Sequence, residues 1–248
     1  MKKLIALLLA VLMLLTLAAC GGTETAAPAA SGSTASSASS GAKLRFVTGG
    51  ESGTYYAFGS VIAQHATNNA GVNVVGLVGN GSQANVMELQ DGNAELAFCQ
   101  SDVMAYAYNG TNLFEETGKV DCFSTVAALY MEQVQIVTTN PDIKTVEDLK
   151  GKTVSIGALG SGVYFNAVDV LGVYGIDAEK DITPVYQSFG DSAESLKDGK
   201  IDAAFIVAGA PTTAITDLAT ASSVYLVSID DEHMDTLLAS SPYYARST

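Results

Sequence analysis

From Lys43 on, the hydrophobic and polar positions of this chain keep one rhythm: a short apolar run, a glycine-rich loop, then residues at helical spacing. Leu44-Arg45-Phe46-Val47 is the first apolar run, and Thr54 to about Asn69 the first helical one. A second strand over 72–78 leads through Gly79-Asn80-Gly81-Ser82 into a helix over 82–91, with Val86 and Leu89 on or near one face. Ala94 to Cys99 reads as a third strand, and Gln100-Ser101-Asp102 caps a helix that Asn109-Gly110 breaks. Two apolar runs follow with no helix between them, Phe123–Tyr130 and Gln133–Thr139, and are read as strands at a crossover. After a short helix over 145–150 the rhythm resumes. A strand over 152–156 enters the loop Gly157–Gly162 and a helix to about 173, then a strand over 183–188 and a helix over 190–198. Lys200 to Val207 is apolar almost throughout, the pattern of a strand buried on both faces. Pro211 is read in the first turn of the next helix, where no amide is needed, before a strand over 224–229 and a helix over 231–240. Strands alternating with helices at this spacing predict βαβ units, parallel sheets and an α/β fold.

In open α/β sheets ligands bind beyond the carboxyl ends of the strands. Here those ends are Gly49–Tyr56, Gly79–Ser82, Gln100–Asp102, Gly157–Gly162, Gln187–Ser188 and Gly209–Pro211. The stretch Val47–Tyr56 is the clearest of them. Its glycines let a ligand approach the backbone, and the helix it opens offers unpaired amides at a positive dipole end. Such a loop is an anion pocket; a plain turn with Ser or Thr capping the helix is the competing reading of this stretch alone. Similar loops recur later. No basic residue lies in any of them, so an anion would be held by amides and hydroxyls.

The N-terminal segment 1–20 stands apart. A basic start, an apolar run from Leu4 to Ala18 and the close on Leu17-Ala18-Ala19-Cys20 form a secretory signal. The cysteine after Leu-Ala-Ala resembles a bacterial lipobox, with Cys20 lipidated; an uncleaved anchor helix is the alternative. Either places the rest outside the cytoplasmic membrane. Residues 21–42 are mostly Gly, Ser, Thr and Ala, a flexible tether with a reach of about 25 Å. The chain carries 12 basic and 26 acidic residues; with Lys2 and Lys3 in the signal segment, the remainder stands at −16. That acidity argues against nucleic acid and against electrostatic binding to anionic lipid. Cys99 and Cys122 each fall in a predicted strand and are expected as buried thiols, while His65 and His233 lack partners at metal-ligand spacing, so neither metal nor cofactor is expected.

Several segments together resemble one family. Thr-Gly-Gly-x-Ser-Gly-Thr-Tyr-Tyr at 48–56 and Gly-Asn-Gly-Ser-Gln-Ala-Asn at 79–85 are similar to the opening motifs of the TAXI proteins, the extracytoplasmic solute receptors of one class of TRAP transporter. Gln100–Asp102 with Ala105–Gly110, Leu129–Val137, Asp148–Gly157, Gly160–Gly162, Leu196–Phe205 and Ala208–Thr212 continue the match, over about 43–246. The resemblance implies a two-lobed periplasmic-binding-protein fold, with a first lobe at 43–130 and a crossover and second lobe at 131–248. It implies a monomeric receptor, lipid-anchored at the cell surface or in the periplasm. That receptor would clamp a small organic anion, a glutamate-like amino acid or a dicarboxylate, and deliver it to a sodium-coupled TRAP membrane component. Family members continue past the Pro-Tyr-Tyr at 242–244, so the resemblance implies that the C-terminal part is truncated here; position 99 is Cys where an aliphatic residue is usual.

On this basis the ligand contacts are Ser52, Gly53, Thr54, Tyr55, Gln100 and Ser101 in the first lobe and Tyr130 and Gln135 at the crossover. Gly160, Ser161, Gly162 and Asn166 are the second-lobe set, while Gln187, Gly209 and Pro211 rest on the family and on their strand-end positions. Glu132, also at the crossover, would repel a carboxylate and is read as meeting an ammonium group or fixing a neighbour. A sensor presenting bound solute to a signalling partner is the alternative function. A hydrolase using Ser52 or Ser161 fails, because the Gly-x-Ser-x-Gly elbow is missing and neither histidine sits near a strand end. Replacing Cys20 by Ser should leave the protein unacylated with its signal uncleaved; a shortened, acylated variant in the membrane fraction would rule out the lipobox.

Overall fold

Strand β1 (Leu44–Val47) is the centre of a parallel sheet of order β2-β1-β3, with β2 at Val74–Leu77 and β3 at Leu96–Ala97. The computed structural model that shows this describes residues 41–247, so the signal segment, Cys20 and nearly all of the tether lie outside the described residues. The register sets Val47 opposite both Leu77 and Ala97. Three strands therefore end level, and the loops after them open side by side. Helix α1 (Thr54–His65), continued by a π-turn over Ala66–Ala70, packs Ala63 on Phe46, Val74 and Phe98. Helices α2 (Ser82–Gln90) and α3 (Ser101–Asn109) follow β2 and β3.

The second sheet is built on β4 (Gln133–Thr138), β5 (Thr153–Ser155), β6 (Thr183–Val185), β7 (Ala203–Ala208) and β8 (Tyr225–Leu226), in the order β6-β5-β7-β4-β8. Its helices are α4 (Val163–Val173), α5 (Phe189–Lys197), α6 (Thr213–Ala221) and α7 (Asp231–Ser240). Strand β7 is buried along its whole length, as its unbroken apolar run predicts. Phe205 and Val207 join Ile136, Val154, Val170 and Leu171 on one face, while Ala204, Ile206 and Ala208 join Leu196, Ala214 and Leu218 on the other.

The structure differs from the sequence reading in four places. Strand β4 runs antiparallel to β7 and to β8, so this sheet is mixed. Residues 123–130 form no strand: Val126 is 86 % exposed, Leu129 lies open, and the segment is pinned by side chains instead of a ladder. Phe123 packs edge-on to Tyr108 and Tyr130 edge-on to Phe58. Cys122 in the same stretch is exposed, and Cys99, just past β3, is partly buried; both are free thiols. Pro211 precedes Thr212, the N-cap of α6, and so lies outside the first turn.

Asn85 ties the first sheet to its helix. It is fully buried, and its Nδ2 donates to the carbonyls of Thr48 (2.6 Å) and Phe98 (2.9 Å), one beyond β1 and one beyond β3. Truncating it strands two buried acceptors, each costing about 1–3 kcal/mol. Asn85→Ala should therefore lower stability by about 2–6 kcal/mol in urea unfolding; an unchanged midpoint would show that the two loops hold without it.

Candidate functional site

The level strand ends of the first sheet face the loops after β5 and β6 and the end of β7 across a cavity of about 460 Å³. Gly49–Tyr55 and Gly79–Ser82 line one side, and Ser161–Val163 and Gln187–Asp191 the other. The volume falls in the usual small-molecule range of about 300–1,000 Å³. The lobes meet backbone to backbone around it. The Gly160 carbonyl accepts from Ala84 N at 2.9 Å, so a second-lobe loop supplies an acceptor to the first turn of α2. On the opposite rim the Ser52 carbonyl accepts from Ala214 N at 3.2 Å, in the first turn of α6. Glycine is required at two of these approaches. A Cβ on Gly162 would overlap Gln100 Oε1, and Gly81 has φ +113°, with Ser161 Cα 3.0 Å from where its Cβ would stand.

Three helices, α1, α2 and α4, start at this cavity on N-cap glycines, Gly53, Gly81 and Gly162, which have no side chain of their own to offer. Ser161 Oγ accepts from Val163 N at 3.1 Å. Its own O–H meets no acceptor among the described residues and is free to donate. The polar wall continues as a chain. Tyr55 OH lies 3.2 Å from Glu132 Oε2 and 3.4 Å from Ser82 Oγ; Ser82 Oγ accepts from Gln100 N and faces Gln100 Oε1 at 3.3 Å. Gln100 Nε2 donates to Asn166 Oδ1 at 2.7 Å. Behind it, Asn166 Nδ2 donates to Asp102 Oδ2 and to Tyr244 OH, and Tyr244 donates to Asp169 Oδ2.

Eight of the fifteen expected contacts line the cavity: Ser52, Gly53, Thr54, Tyr55, Gln100, Ser161, Gly162 and Gln187. The structure does not bring the others to it. Ser101 is exposed on α3, Gly160 packs on Ala84, and Asn166 is buried behind Gln100. Gln135 donates to Thr212 Oγ1, and Tyr130, Gly209 and Pro211 line a neighbouring opening that shares Thr54. Sequence reading left Ser82 and Phe189 out of the contact set and weighed Glu132 only as meeting an ammonium group or fixing a neighbour; all three line the cavity. Ser82 closes a loop already marked by its glycines. Glu132 enters because β4 is antiparallel: Gln133 pairs with Ala208, so the start of β4 stands at the carboxyl end of β7.

Electrostatically the cavity is one-sided. Glu51, Glu132 and Asp191 line it, and among the described residues no Lys, Arg or His does. Burial, with the Asp102 charge adding to it and the Tyr55 hydrogen bond opposing, pushes the Glu132 carboxyl up to about 8. Burial and the nearby Glu132 likewise raise the Tyr55 phenol well above its ordinary range. Away from the cavity, His233 gathers Asp230 and Glu147 within 4.8 Å, contrary to the expectation that it stands alone, but Asp230 is engaged in capping α7.

Two lobes closing on a cavity at their strand ends define a periplasmic-binding-protein-like domain, and solved structures with the same fold agree. The alkanesulfonate-binding protein SsuA from Xanthomonas axonopodis pv. citri, bound to MOPS, superposes with a TM-score of 0.51 at 21 % identity, covering 75 % of this chain and 60 % of its own. An ancestral arginine-binding protein bound to arginine gives 0.52 at 20 % identity, with 75 % and 78 % covered. The effector-binding domain of QuiR in complex with shikimate gives 0.51 at 9 % identity, with 77 % and 82 % covered. This chain spans about 60 % of the length of that SsuA protein. A family model matches residues 46–248, and the chain belongs to the NMT1-like family. These likenesses show the fold, and the family match places the chain among the NMT1-like proteins.

Glu132 gives the site a pH signature. Its folded value stands above the ordinary 4.5, so its contribution to stability is complete below 4.5 and lost as pH rises through about 8. Glutamine does not titrate. The melting temperature of wild type should thus fall relative to Glu132→Gln between about pH 5 and pH 9; a constant difference would show that the carboxyl is not held protonated.

Proposed function

We propose that this protein is a lipid-anchored extracytoplasmic receptor that closes on a small organic anion, a glutamate-like amino acid or a dicarboxylate, and delivers it to the sodium-coupled membrane component of a TRAP transporter. The observation that carries the reading is the convergence of three glycine-started helices, α1, α2 and α4, on one cavity between two lobes. Backbone amides at helix starts hold anions without a basic side chain, and charge-assisted hydrogen bonds of this kind contribute roughly 1.5–3 kcal/mol each. The motifs at 48–56, 79–85 and 208–212 support the TAXI assignment, and the signal segment with Cys20 supports the anchor. Among the described residues no helix is long and apolar enough to cross a membrane. The fold neighbours are bound to MOPS and arginine and in complex with shikimate, all small polar molecules.

Thermal-shift screening against amino acids and dicarboxylates tests this directly. A solute at a hundred times its dissociation constant should stabilise the fold by about 2.7 kcal/mol, and no shift across the panel would overturn the assignment. Ser161→Ala should weaken binding of the best solute about tenfold, the loss of one charge-assisted bond. It should also cost about 0.5–2 kcal/mol of stability, since the hydroxyl also accepts from Val163 N. Lys152→Ala and Lys200→Ala, at the opposite ends of their strands, should leave affinity within about twofold. Loss of binding in the lysine variants, with Ser161→Ala unaffected, would mean that an ionic clamp holds the solute.

A further inference from the structure

The cavity presents a problem for any anion: among the described residues its charged lining consists of three carboxyls and no cation. Glu51 is exposed and the exposed Asp191 is bonded to Ser188, so both keep their water. Glu132 is the inward one. Its Oε2 takes the Tyr55 hydroxyl at 3.2 Å, and its Oε1 meets no hydrogen-bond partner among the described residues. The groups that act on it are Tyr55 from α1, Cys99 and Asp102 from the junction of β3 and α3, and Tyr130 just before β4. None of these brings a positive charge. An ionised Glu132 would face the solute's own negative charge in a closed, poorly hydrated cavity, which disfavours one ionised group or the other. A neutral Glu132 removes the repulsion and adds a donor beside Ser161 and the helix-start amides.

We propose that Glu132 takes part in solute capture as a carboxylic acid, donating its O–H to an anionic oxygen of the bound solute, so that each anion enters the closed cleft together with one proton. This rests on the reading of the protein as an anion receptor and names the residue that sets its charge selection. Protonation costs little here, because burial already holds the carboxyl up to about 8. No bond of the solute is made or broken. The proton comes from solvent and returns to it when the lobes part and water reaches Glu132. The opposite arrangement, an ionised Glu132 on a solute ammonium group, reverses the dependence on pH.

Isothermal titration of the full chain with L-malate and L-glutamate, near pH 6.5 and pH 9, separates the possibilities. With protonation centred at about 8, only about one molecule in eleven carries the proton at pH 9, so affinity should fall about tenfold over this span. Repeating the titration near pH 8 in buffers of different ionisation enthalpy should show net proton uptake. Glu132→Ala should bind more weakly near pH 6.5. Glu132→Gln, which keeps a donor permanently, should restore part of that loss and show a flat pH profile. Affinity for L-glutamate that rises with pH would assign Glu132 to the ammonium group instead. A flat profile in wild type would remove Glu132 from recognition. Both of these outcomes overturn the proton linkage and leave the solute receptor standing, whereas no binding of either probe at either pH overturns both.

Discussion

Everything in this molecule depends on two lobes touching through bare backbone. Main-chain groups of loops 79–84 and 157–162 meet at hydrogen-bond distance, and so do those near Ser52 and Ala214. Side chains at these points would hold the lobes apart, as the space around Gly162 and Gly81 makes plain. The contact has an energetic side too. Amide donors at helix starts have partners only where water, a ligand or another loop supplies them. Where the lobes close, water is expelled and those donors must find acceptors, one of which is the Gly160 carbonyl. The cavity is what remains where no loop fills the gap.

Much of this was legible in the sequence because it rests on local rules. Short apolar runs and helical spacing located β1, β2, β7 and the helices α1 to α7, and the glycine clusters marked the loops that line the cavity. The uninterrupted apolar run of β7 stated its two-sided burial. What stayed hidden depends on pairing, which no local pattern encodes. Phe123–Tyr130 reads as a strand by composition, yet the second sheet has its edges at β6 and β8 and offers this segment no partner. The direction of β4 is likewise set by its neighbours, and with it the route by which Glu132, placed at the crossover by sequence, reaches the cavity wall. Asn166 lies one helical turn from Gly162 and so looked like a contact, but Gln100 stands between it and the cavity.

The buried polar chain from Glu132 through Tyr55, Ser82, Gln100 and Asn166 to Asp102, Tyr244 and Asp169 crosses from one lobe to the other. Burial raises Asp102 and Asp169 as it raises Glu132, so each bond in this chain carries the stake that a low-dielectric interior gives it. Satisfied, the chain fixes how the lobes seat on one another. The cavity wall is thereby continuous with the network that aligns the lobes, and a side chain facing the solute also sits in the packing that shapes the closed form.

The Gly160 carbonyl that serves α2 carries a last consequence. Part of the free energy of closing belongs to the protein alone, since this bond forms between lobes whatever fills the cleft. Such a bond favours the closed form with or without a solute, and apparent affinity is the intrinsic affinity scaled by the fraction of molecules able to bind. Strengthening such rim contacts would not sharpen the preference for one solute over another. It would shift every affinity together and lengthen the time a captured solute stays inside, which makes the rim a control on residence and the cavity wall a control on identity.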